Sequence, residues 1–68
     1  RLDGLTPRER EILALLCAAS SNDEIATQLG LKDSTVKAHV SAIMMKLNVS
    51  SRLKAVVRAY ELGLVHPG

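Results

Sequence analysis

The sequence predicts an all-α fold, and three features of its 68 residues carry that expectation. Thr6-Pro7-Arg8-Glu9 and Ser21-Asn22-Asp23-Glu24 both have the form of a capping box, a hydroxyl residue with a glutamate three positions on. Apolar residues recur at helical spacing, and no run alternates with period two long enough to argue for a sheet. With no Phe or Trp and only Tyr60, the core must come from Leu, Ile, Val, Ala and Met, side chains compatible with helix packing.

The chain then divides into four helical stretches. Residues 1–4 read as a linker remnant, 5–64 as the domain and 65–68, with His66-Pro67-Gly68, as a flexible tail. The first helix starts at Pro7 behind the Thr6 cap, where the missing N–H of proline costs nothing. It is expected to run to about Ala19, with Ile12, Leu15, Leu16 and Ala19 facing inward. Ser20-Ser21-Asn22 breaks it, and a short helix follows through Ile25, Ala26 and Leu29. Gly30 lies just past its end, where a left-handed conformation is wanted. A longer helix begins near Lys32 or Asp33, whose carboxylate suits a helix N-terminus. Asn48-Val49-Ser50 ends that helix, and the last one spans about Ser51 to Leu62, stopped by Gly63.

The third helix organises the rest. On a wheel of ~3.6 residues per turn, Val36, Val40, Ile43 and Leu47 form one narrow apolar stripe. Ser34, Ala38, Ser41 and Met45 fall opposite, with Lys37 at the shoulder. A small, polar and basic outer face suits insertion into a DNA major groove, although an ordinary amphipathic surface helix would carry the same stripe. The short helix, the turn with glycine and the longer helix together have the form of a helix-turn-helix, with Ala26 at the crossing, Gly30 in the turn and Val36 as apolar anchor.

Charge supports a polyanionic partner once the net +2 is divided. Arg1 to Asp33 hold four bases and six acids, whereas Ser34 to Gly68 hold five bases and one acid, Glu61. A solvated basic surface is the alternative. A single cysteine, Cys17, excludes an internal disulfide and reads as a small core residue in a reducing compartment. No signal peptide and no apolar run near the ~20 residues of a membrane span appear, so a cytoplasmic protein without membrane contact is expected.

Other functional classes fit less well. His39 and His66 are far apart in sequence, no Cys/His set has zinc spacing, no glycine-rich loop precedes a helix, and no nucleophile stands with a base. Neither an enzyme nor a cofactor or metal is expected. A protein-interaction bundle would share the helical pattern, but it does not require the basic stretch from Ser34 to Tyr60, which lacks acids.

Single residues then receive candidate roles. Lys37 can reach guanine O6 or N7, or a phosphate. Ser34 and Thr35 can donate to phosphate or cap the helix, as can backbone amides at the helix starts. Ala38 suits a thymine methyl or a close approach of the backbone. His39 sits at the edge of the apolar stripe, where it can bond to phosphate. Met45 points outward with no assigned role. In the last helix Leu53, Val56, Val57 and Tyr60 are expected in the core. Ala55, Ala59 and Leu62 would then form a second stripe, a small self-complementary patch for a weak homodimer completed on DNA.

Four segments make the chain resemble the LuxR/NarL-type (GerE-type) DNA-binding domain: LTPREREIL at 5–13, SNDEIATQLGL at 21–31, STVKAHVSAI at 34–43 and KLNVSSRLKAV at 46–56. These cover nearly the whole chain. The resemblance implies a four-helix fold that binds double-stranded DNA as the output module of a bacterial response regulator or related transcription regulator. The third helix would enter the major groove and the fourth would dimerise, with RNA polymerase as a further candidate partner. Carried over by position, Lys37, Ala38 and Ser41 face base edges, while Asn22, Thr35, His39 and Lys46 lie near phosphates. Sigma-factor promoter-recognition domains share the LTPRERE opening, but the SSRLKAV segment favours the regulator family. Two departures stand out. Met44-Met45 replace a basic residue often found before the KL, removing a possible phosphate contact, and Lys32 replaces a frequent serine cap.

Overall fold

The computed structural model describes residues 4–65. Among them are four helices and no strand: α1 Pro7–Cys17, α2 Asn22–Leu29, α3 Asp33–Lys46 and α4 Arg52–Glu61. The expected tail residues 66–68, His66 among them, and linker residues 1–3 lie outside the described residues.

Both capping boxes form. Thr6 Oγ1 accepts the Glu9 amide at 3.1 Å and Glu9 Oε1 accepts the Thr6 amide at 2.9 Å. Ser21 and Glu24 repeat the exchange at 3.1 and 2.7 Å. A third cap precedes α4, where Ser51 Oγ accepts the Lys54 amide at 3.1 Å. α3 starts behind Lys32, whose side chain has no acceptor to offer, and it lacks a side-chain cap.

All four helices are followed by a left-handed residue, three of them outside the α2–α3 turn. Ala19 (φ 63°) follows α1, Asn48 (φ 57°) follows α3 and Gly63 (φ 71°) follows α4. Behind each, a backbone N–H returns to a carbonyl in the last turn: Ser20 to Leu15, Val49 to Met44, Leu64 to Ala59. α1 therefore ends earlier than expected, and Ala19 is exposed. Gly30 takes the left-handed turn between α2 and α3 at φ 69°, as its position required.

The core gathers Ile12, Leu13 and Leu16 of α1, Ile25 and Ala26 of α2, and Val36, Val40 and Ile43 of α3, closed by Leu5 and Leu47. The stripe expected of α3 is thus buried in full. Leu13 joins the core in place of Ala19, and Leu15 packs at its edge. Val65, assigned to the tail, packs against the core with Leu64. α3 lies against all three other helices, and α1 also packs on α4.

The last helix reverses the expected stripes. Ala55 and Ala59 are completely buried, whereas Leu53 is 72% exposed and Val57 49%. Tyr60 is also exposed, and Val56 is half-buried. Ala55 and Ala59 therefore cannot form a dimer face. The reason is distance: α4 packs on α1 and α3, and the side chains at a contact set how closely two helices approach. The small residues face inward because close packing requires them, and the larger ones are turned out. Leu62, the third member of the expected patch, is exposed, but it caps the helix on the opposite side from Leu53.

Candidate nucleic-acid interface

α3 presents one unobstructed face. Ser34, Lys37, Ala38, Ser41 and Met45 are all exposed, and Val36, Val40 and Ile43 on the reverse are buried. Three buried anchors over two turns leave the helix little freedom to rotate about its axis, so the outward row is fixed by the core. Thr35 and His39 lie half-buried along its flank.

Two residues expected near phosphates have partners within the protein. Lys46 Nζ donates to Glu9 Oε1 at 2.7 Å, and Glu9 is almost fully buried. Asn22 Oδ1 accepts from the guanidinium of Arg52, which also donates to the Ser20 carbonyl at 2.6 Å. Arg52 thereby ties the start of α4 to the α1–α2 turn. A long-range partner for either side chain has no local signature in sequence, which is why spacing alone could not locate them. Along α3 itself, Lys46 is partly exposed but held by Glu9, and Lys37 is the lysine that lies on the outward face.

Two carboxyls flank the entrance to this face. Asp23 and Asp33 lie in the first turns of α2 and α3. A hydrogen bond shared with the Asp23 carboxyl, loss of hydration and the Asp23 charge raise the Asp33 carboxyl above its ordinary value, while Lys37 draws it down. Burial would raise Glu9, but the Lys46 hydrogen bond, the Thr6 amide and the Lys46 charge outweigh it and hold Glu9 below its ordinary value. Cys17 is half-buried and burial pushes its thiol up, consistent with packing rather than reactivity.

On the other side, α4 and the α3–α4 turn border an open groove lined by Asn48, Val49, Leu53, Val57, Arg58 and Glu61, among others. Its apolar floor is the exposed face of α4.

These features coincide with a known class. The sequence pattern of the luxR family of bacterial regulatory proteins matches residues 3–59, and the chain belongs to that family. It is a helix-turn-helix DNA-binding domain of the kind found in transcription regulators, a class of regulatory proteins and not of enzymes. Among curated proteins it is 46% identical over 61 residues to the response regulator protein VraR of Staphylococcus aureus, covering 90% of this chain and 29% of that protein. It is 41% identical over 59 residues to the transcriptional regulatory protein DesR of Bacillus subtilis, covering 87% of this chain and 30% of DesR. The chain thus spans less than a third of the length of these relatives.

Solved structures agree. The transcription factor GerE superposes with a TM-score of 0.85 at 40% identity, over 91% of this chain and 92% of GerE. The response regulator ChrA of a heme-sensing two-component system superposes with a TM-score of 0.87 at 37% identity, over 91% of this chain and 31% of ChrA. Among the described residues no helix is long and apolar enough to cross a membrane.

Proposed function

We propose that the domain binds double-stranded DNA with α3 in the major groove, as the output module of a larger bacterial transcription regulator acting in the cytoplasm. The observation that carries this reading is the outward row of α3: small, hydrogen-bonding side chains and Lys37 on a helix fixed by three buried residues. Lys37, Ala38 and Ser41 contact base edges. Ser34, Thr35, His39 and the free amides at the start of α3 contact phosphates. Asn22 and Lys46 serve the interface by holding the elements in place. The relatives VraR and ChrA are response regulators, which supports an upstream signal-receiving domain and, through it, an effect on RNA polymerase.

The homodimer forms through the exposed side of α4, with Leu53, Val57 and Tyr60 meeting their counterparts across a two-fold axis. The surface is small, so pairing is weak in free solution and is completed by two half-sites on DNA.

Salt dependence tests the DNA reading. With Lys46 and Arg52 engaged internally, the exposed cations Lys32, Lys37 and Lys54 are left to neutralise about three phosphates per protomer, and log affinity falls against log salt with a slope of about −3 per protomer. A slope near zero between low and physiological salt contradicts DNA binding. A slope near −5 or steeper returns Lys46 and Arg52 to the phosphates.

A further inference from the structure

Met45 is 80% exposed, more than any other large hydrophobic residue of the described chain. A single exposed apolar side chain is unremarkable in itself. Its position is the informative part. Met45 continues the row of Ser34, Ala38 and Ser41 along the outward face of α3, about 10 Å beyond Ala38 at ~1.5 Å per residue. The cation beside it, Lys46, is turned onto Glu9 at 2.7 Å. The C-terminal half of the outward face therefore meets DNA with an apolar surface and no free charge. A thioether cannot neutralise a phosphate. The apolar group that the major groove offers is the 5-methyl of thymine.

We propose that Met45 is a specificity-determining residue that packs on a thymine 5-methyl at the margin of the half-site. The inference rests on α3 occupying the major groove. A long, unbranched and polarizable side chain suits the task, because it adapts its rotamer to a methyl whose position varies with local DNA shape.

Replacing thymine by deoxyuridine removes the 5-methyl and leaves base pairing and the groove acceptors intact. On a duplex selected from a random pool, each thymine of the half-site is replaced in turn, and affinities are compared for the parent, Met45→Ala, Met45→Leu and Lys37→Ala. The parent loses about four-fold at one thymine, the factor for burying one methyl-sized group. Met45→Ala binds the thymine duplex that much more weakly and shows no further loss with deoxyuridine there, whereas Met45→Leu keeps the discrimination. Because Met45 is so exposed, the thermal midpoint of Met45→Ala stays at the parent value. If Met45→Ala retains the parent's loss at every thymine while Lys37→Ala still relaxes base preference, the Met45 assignment is wrong and α3 remains in the groove. If no thymine responds and Lys37→Ala changes specific and random DNA equally, placement of α3 in the major groove fails as well.

Discussion

Glu9 and Lys46 are joined through one oxygen: Glu9 Oε1 accepts the Lys46 ammonium at 2.7 Å while also accepting the Thr6 amide at 2.9 Å. The side chain that closes the capping box of α1 therefore also grips the last residue of α3, 37 positions away. The Glu9 side chain is 7% exposed and that of Lys46 37%, so the carboxylate relies on its partner more than the ammonium does.

Removing Lys46 strands a buried carboxylate. Lys46→Ala lowers stability by about 1–2 kcal/mol, less than for breaking a fully buried pair, because the ammonium side is screened by solvent and Glu9 keeps the Thr6 amide. Because the Glu9 carboxyl sits below its ordinary value when folded, its contribution is present above that ordinary value and is lost as pH falls through the folded one. Acid titration of stability followed by circular dichroism checks this. The parent weakens below about pH 4.5, and Glu9→Gln shows a shallower fall over the same window. The Asp33 carboxyl, raised chiefly by Asp23, acts with the opposite sign. Its contribution is present in full below its unfolded value and declines as pH rises through the folded one, so it partly offsets the Glu9 dependence.

The reversed stripes of α4 give a paired test. Ala59→Glu places a charge in a fully buried site and unfolds the domain. Val57→Glu, on the exposed side, leaves the thermal midpoint nearly unchanged and abolishes cooperative binding to a duplex with two half-sites. Cooperative binding by folded Val57→Glu moves the dimer contact away from this face.

Ala19 holds a left-handed backbone at φ 63° that glycine adopts without cost. Ala19→Gly is expected to stabilise the domain by about 1 kcal/mol, read from urea midpoints at unchanged slope. A lower midpoint shows that the restriction alanine places on the unfolded chain outweighs the strain.

The helices were legible because their signals are local. Capping boxes at Thr6 and Ser21, the glycine after α2 and the apolar stripe of α3 each act within a few residues. Ala19 carries no local signal of a helix end because alanine is a strong helix former, and the return of the Ser20 amide to Leu15 ends the helix there. The outward row of α3 followed from the same wheel that defined its buried side. What sequence could not show were pairings across the fold, Lys46 with Glu9 and Arg52 with Asn22. On α4 two physical preferences conflict. Apolar area argued for burying Leu53 and Val57, while helix approach favoured burying Ala55 and Ala59, and approach prevailed.

The most direct test of α3 as the reading element is the affinity of Lys37→Ala for a selected duplex and for random duplex at one salt concentration. If Lys37 reads a base, the variant loses roughly 1–3 kcal/mol on the selected duplex, with relaxed preference at one base pair and a smaller loss on random DNA. Equal losses on both would contradict base reading by Lys37 and reduce it to a phosphate contact.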